Sequence, residues 1–141
     1  MAFMDWNSSY SIGVDIFDEE HKKLVAIINA LHDALETDTG NDALLAICDR
    51  LVEYTLLHFR HEEMYFEECA YPEAAEHTAK HSALRREVFV FRKRAMEEEF
   101  SGVARELAVF LRDWYAVHIL VEDAKYAHHL QQRQKRSLAA E

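Results

Sequence analysis

The chain is poor in the residues that break helices. Three glycines and one proline in 141 residues suit an all-helical protein with few turns. Two cysteines, Cys48 and Cys69, form no CxxC pair and no disulfide framework; they read as small, buried apolar residues and fit a reducing compartment. Basic residues are scarce. Sixteen against 26 acidic ones give a net charge of −10, which argues against nucleic acid or an anionic membrane surface as partner. No apolar run approaches the roughly 20 residues needed to span a bilayer, so no membrane insertion is expected. The opening MAFMDWNSSYSIG lacks a basic region followed by an apolar one, so no signal peptide is read and a cytoplasmic location is expected. Repeats, low-complexity segments and linkers are missing too, which leaves a single domain over residues 1–141. There is no nucleophile–base pair and no phosphate loop.

Half of the residues are hydrophobic, enough to bury a real core. Residues 1–17 show no helical period and read as an extended arm. From Asp18, a natural helix cap, Leu24, Val25, Ile28, Leu31 and Leu35 recur at helical spacing to about Glu36, and the loop Thr37-Asp38-Thr39-Gly40 stops the helix. A second helix, capped by Asn41 or Asp42, runs to about Cys69. A third starts at Pro72 and breaks at Ser101-Gly102. A fourth runs to about Leu130, and residues 131–141 form a polar tail. Four helices over residues 18–130 with short connections give an all-α, up-down antiparallel four-helix bundle.

The histidines stand out against this background. His58 and Glu62 are four apart, as are His77 and His81, so each pair occupies one helix face one turn apart. Pro72 marks the turn between the pairs. Glu62 lies nine residues before Tyr71 and His81 ten after it; at about 1.5 Å per residue both sit roughly 14–15 Å into the hairpin, level with each other. His21 and His118 also fall on apolar stripes, at the same end of the bundle. His21, His58, Glu62, His77, His81 and His118 therefore converge on one end of the core. Buried polar groups need partners, and a metal centre satisfies all of them together. Imidazole with carboxylate is a transition-metal ligand set. Five histidines and a carboxylate exceed one tetrahedral zinc site and fit two octahedral ions sharing bridging carboxylates. A second bridge is expected after His118. Helical spacing alone would choose Glu122, four residues on; Asp123, five on, points elsewhere on an ideal helix, and local geometry leaves the choice open. His32, His61, His128 and His129 read as surface or rim residues.

Three stretches, WNSSYSIGVDIFDEEHKKL, YTLLHFRHEEMYFEECAYPEAAEHTAKH and DWYAVHILVEDAKY, carry the pattern H…HxxxE…HxxxH…HxxxxD. The chain thereby resembles the hemerythrin family, over nearly its whole length. The resemblance implies a cofactor of two iron ions with a bridging oxo or hydroxo group. His77, His81 and His118 would hold one iron, His21 and His58 the other, with Glu62 and Asp123 bridging. It thus selects Asp123 over Glu122. It also implies O2 as ligand at the one open coordination position, with Leu24, Trp114, Ile119 and Leu120 lining or flanking an apolar O2 pocket. The implied function is reversible O2 binding for storage, delivery or sensing, and not enzymatic. The alternative is a di-iron enzyme acting on peroxide, nitric oxide or ferrous iron. A neutral, histidine-rich ligand set should favour reversible binding, whereas ferritin-like oxidases use a more anionic one. Glu20 stands where the family often has Gln, and Phe66 where Met is common.

Overall fold

The computed structural model describes residue 6, residues 8–37 and residues 40–140, with side chains through residue 132. The first five residues and Asn7 of the expected arm, Asp38 and Thr39 of the first loop, and Glu141 with the side chains of residues 133–140 of the polar tail lie outside the described residues.

The helices are α1 (Asp15–Thr37), α2 (Asn41–Cys69), α3 (Ala74–Glu97), α4 (Phe100–Trp114), a π-helical segment (Tyr115–Asp123) and α5 (Ala124–Ala140). The backbone stays right-handed helical at Trp114, Tyr115 and Ala124, so the last three make one continuous rod. The result is an up-down antiparallel four-helix bundle, as the spacing of apolar residues predicts. Its main core holds Leu24, Ile28, Leu31, Leu44, Leu51, Leu84, Leu107 and Leu111, all buried. A smaller apolar cluster of Ile12, Phe17, Phe66, Tyr71 and Tyr126 closes the other end. The metal-type residues lie between these two plugs.

Several helix ends differ from the sequence reading, each for a local reason. α1 starts at Asp15 because the Val14 carbonyl accepts from the N–H groups of Phe17 and Asp18, at 3.1 and 2.9 Å. Asp18 is therefore inside the helix and does not cap it. Its carboxylate instead accepts from the Ser11 hydroxyl, at 2.5 Å, and the Ile12 N–H, at 2.9 Å. That pins the arm to α1. The arm is not wholly extended: Ser8–Tyr10 form a 3₁₀ turn. Asn41 does not cap α2 either. Its side-chain amide donates to the carbonyls of Ala95 and Glu98, closing the C-terminus of α3, whose last carbonyls lack partners within the helix.

α2 ends at Ala70 in the left-handed region, φ 49° and ψ 51°. The Tyr71 N–H turns back to the Phe66 carbonyl at 3.1 Å, the 6→1 bond of a Schellman-type stop. Residues 72 and 73 form a turn, so α3 begins at Ala74 and not at Pro72. The last rod does not end near Leu130; it stays helical through Ala140.

Candidate metal centre

Each rod contributes through the spacing that makes it amphipathic. α1 brings His21, α2 His58 and Glu62, α3 His77 and His81, and the π segment His118 and Asp123. All seven side chains are buried, Glu62, Asp123, His21 and His81 completely so. Their ligand-type atoms fall into two groups, each within 4.8 Å: His77, His81, His118 and Asp123, and His21, His58, Glu62 and Asp123. Among the described residues a third grouping, His32, Asp33 and Glu36, lies at the surface on a single turn of α1 and has none of this burial.

The two carboxylates lie between the groups. Asp123 turns Oδ1 toward His77 and His118, with Nε2 atoms at 2.7 and 3.1 Å, and Oδ2 toward His21 at 3.2 Å. Glu62 turns Oε1 toward His58, and Oε2 toward His77 and His81 at 3.5 and 3.9 Å. Each carboxylate thus offers one oxygen to each side, the arrangement a bridging ligand needs.

These contacts could in principle be plain buried ion pairs. The hydrogen-bond geometry argues against it. Both nitrogens of His21, Nε2 of His77, His81 and His118, and all four oxygens of Glu62 and Asp123 are buried without a hydrogen-bond partner. An unpaired buried polar group costs on the order of 1–3 kcal/mol, and a buried charge more. So many lone pairs converging on one buried space would be satisfied together by cations, and the imidazole and carboxylate set fits iron.

Without a metal, the imidazoles and carboxylates perturb one another strongly. Burial alone would lower the His58 imidazole and raise the Glu62 and Asp123 carboxyls. The carboxylates on both sides of His58 override this and push it up to about 10. Burial would likewise lower His77, but contact with Asp123 and Glu62 raises it to about 9. His81 goes the other way, down to about 3, because burial dominates there. The histidines hold Glu62 and Asp123 below the usual carboxylate range.

Outer partners orient the rings. Glu20 accepts from Nδ1 of His58, and Glu63 from Nδ1 of His81 at 3.4 Å. Aromatic faces clamp three of them. Phe59 lies on His81 with centroids 3.8 Å apart and planes 2° apart; Trp114 lies on His118 at 4.3 Å and 13°; Tyr54 lies on His58 at 5.2 Å and 16°. A ring held on its face and at its far nitrogen has one direction left for its lone pair.

All seven residues expected as ligands meet here. Among the expected pocket residues, Trp114 sits directly on His118. Leu24 and Ile119 are buried in the main core, and Leu120 packs against it partly buried. His32, His61 and His129 are half-buried and His128 is exposed; the His129 ring lies 3.3 Å from the Cys69 carbonyl. The sequence reading missed Phe59, completely buried, although its place four residues after Thr55 and three before Glu62 puts it on the inward face. It also missed that Glu20 is a partner of His58. Neither Cys48 nor Cys69 forms a disulfide, and among the described residues no helix is long and apolar enough to cross a membrane.

Comparison with known proteins agrees. Residues 12–130 match the hemerythrin HHE cation binding domain. A bacteriohemerythrin of Stenotrophomonas maltophilia (strain R551-3) is 33% identical over 127 residues, 90% of this chain and 81% of that protein. One from Methylococcus capsulatus (strain ATCC 33009 / NCIMB 11132 / Bath) is 29% identical, over 89% of this chain and 95% of its own. The crystal structure of a wild-type hemerythrin superposes with a TM-score of 0.79 at 28% identity, covering 92% of this chain and 98% of the other. With four rods converging on two carboxylate-bridged histidine groups, and a family match across most of its length, this chain belongs to the hemerythrin family.

Proposed function

We propose that the chain binds O2 reversibly at a di-iron centre held by His21, His58, Glu62, His77, His81, His118 and Asp123. The observation that carries this reading is the unequal division of the histidines. Three serve one side and two the other, while Glu62 and Asp123 each offer an oxygen to both. The seven residues would hold two iron ions, with an oxo or hydroxo group between them, and the two-histidine side, one protein ligand short, would be where O2 binds. Held by these residues, a ferrous pair would supply the reversible two-electron chemistry that O2 binding needs. The protein's part is to hold, orient and keep dry. The aromatic clamps and outer carboxylates fix the imidazoles, so little reorganisation accompanies a change in iron charge. Leu24, Trp114, Ile119 and Leu120 provide an apolar wall that slows water and protons, whose arrival would turn a reversible electron loan into permanent oxidation. A cytoplasmic location, reducing, would suit such a centre.

The test is the absorption spectrum of anaerobically reduced, iron-loaded protein, before air, after air and after the gas is removed. Two irons per chain and a visible band that comes and goes with O2 are expected. Irreversible oxidation on first exposure, or steady turnover of peroxide or nitric oxide, would overturn a carrier role.

A further inference from the structure

We propose that Glu20 is a positioning residue for the two-histidine half of the centre, dividing its carboxylate between His58 and the half-buried His61 so that the His58 lone pair is aimed inward. The inference rests on the metal centre proposed above. Glu20 precedes His21 on α1. Adjacent helical residues diverge by about 100°, so while His21 enters the core, Glu20 turns along the α1–α2 interface. There its side chain is 12% exposed. One oxygen takes Nδ1 of His58; the other takes Nδ1 of His61 at 2.6 Å.

A carboxylate only accepts, so both imidazoles present N–H at Nδ1. For His58 that keeps the Nδ1 proton on the Glu20 side, so that when the ring gives up its other proton to bind a metal, Nε2, which faces Glu62, is the nitrogen that is freed. His61 follows His58 by three residues on α2, so the two rings lie side by side and grip the two oxygens of one carboxylate. With its second oxygen held, Glu20 cannot swing away from the first.

The two halves of the centre are not equivalent in this respect. In the three-histidine half, His81 meets Glu63 at a longer 3.4 Å, and that carboxylate is 30% exposed. The half with fewer histidines, and hence with the open position, has the closer and better shielded carboxylate behind it. A charged acceptor makes an imidazole a stronger donor to a metal, and such outer partners typically contribute about 10–100-fold in metal affinity. Glu20, His58 and His61 also line a cleft of about 380 Å³ between α1 and α2. Glu20 thus stands between the two-histidine half and solvent.

Glu20→Gln keeps the shape and an acceptor but removes the charge. The probe is cobalt(II), titrated into metal-free protein with a competing chelator. Wild type is expected to take two equivalents. In Glu20→Gln one equivalent should weaken by about 10–100-fold while the other changes little. A second readout is the His58 Nδ1–H resonance, shifted by cobalt. It should exchange slowly in wild type, move in Glu20→Gln, and vanish into solvent exchange in Glu20→Ala. His61→Gln touches no proposed metal ligand; it should shift the same resonance with a smaller loss of affinity. Two equivalents held as tightly in Glu20→Gln as in wild type, with the N–H signal unmoved, would overturn this inference alone. Fewer than two equivalents in wild type would overturn the di-iron reading, and this one with it.

Discussion

His118 and Asp123 are five residues apart, yet Nε2 of one lies 3.1 Å from Oδ1 of the other. An α-helix puts residues four apart on one face, and there Glu122 would have met His118. The segment Tyr115–Asp123 is instead π-helical. Its i→i+5 bonding brings the fifth residue round to the same face. Glu122 is thereby displaced outward, where Lys80 holds it at 2.9 Å and Lys125 at 3.6 Å. A local change of helix type decides which carboxylate enters the core.

Substitutions should separate these neighbours. Asp123→Asn leaves an amide that binds metals poorly on both sides, so less than two equivalents of metal per chain are expected after reconstitution and desalting. Glu122→Gln should retain two. Its ion pair with Lys80 is partly exposed, and such pairs contribute about 0–1 kcal/mol. Equal loss in both variants would contradict the assignment of Asp123 as bridge. Metal analysis with circular dichroism as a folding control reads the difference.

Much of this centre was legible beforehand because its ligands repeat at helical spacing. His58 with Glu62 and His77 with His81 obey the i,i+4 rule, and Pro72 marks the turn that places them level. The choice between Glu122 and Asp123 could not be read that way, since it depends on a helix type whose signature is not apolar periodicity. The family pattern supplied it, and the π segment gives the physical cause. Helix ends were read less well. Asp18 and Asn41 have capping side chains, but both spend their hydrogen bonds outside their own helix start, Asp18 on Ser11 and Ile12 of the arm and Asn41 on the end of α3. Such non-local bonds leave no mark on sequence spacing. The same holds for Glu20, whose partners are 38 and 41 residues away.

Metal uptake should be strongly pH-dependent, in the opposite sense to the stability of the metal-free protein. His58 at about 10 and His77 at about 9 both lie above the ordinary histidine value, so each is protonated at neutral pH without metal. Coordination needs the neutral ring, so loading should release roughly one proton from each. Affinity therefore climbs as pH rises toward 9–10. A raised folded pKa stabilises the metal-free fold fully below the ordinary histidine value, and that stabilisation fades as pH passes through 9 and 10. Calorimetry of zinc binding in buffers of different ionisation enthalpy counts the protons. Uptake without proton release at pH 7 would contradict the pairing of His58 with Glu20 and Glu62.

Ala70 offers a change remote from the histidines. Among the described residues it is the non-glycine with positive φ. A left-handed conformation costs an L-residue roughly 1–2 kcal/mol, and glycine escapes most of that at a helix stop. Part of the gain is lost because glycine makes the unfolded chain more flexible. Ala70→Gly should therefore stabilise the fold by about 0.5–1 kcal/mol, read as a higher urea midpoint with an unchanged slope. A lower midpoint would mean that the Ala70 methyl packs more usefully than its exposure suggests.

Phe59 joins stability to the site. It is completely buried, lies flat on His81, and packs as a tilted ring against His58, Trp114 and His118, at 5.9, 6.0 and 6.4 Å between centroids. Phe59→Ala should destabilise the metal-free fold by about 3–5 kcal/mol, the usual result of emptying a buried ring site. Phe59→Leu is more discriminating. It keeps most of the apolar volume, so the loss should fall to about 1–1.5 kcal/mol, but it removes the flat surface against which His81 rests. His81 would then regain freedom to rotate, and coordination must order it again. Cobalt should therefore leave the three-histidine half of Phe59→Leu faster than that of wild type, while the two-histidine half, whose His58 stacks on Tyr54 and meets Phe59 only as a tilted ring at 5.9 Å, should be accelerated much less. Chelator-driven release kinetics resolve the two halves. Equal acceleration of both would show that Phe59 acts through general loosening of the core and not through its contact with His81.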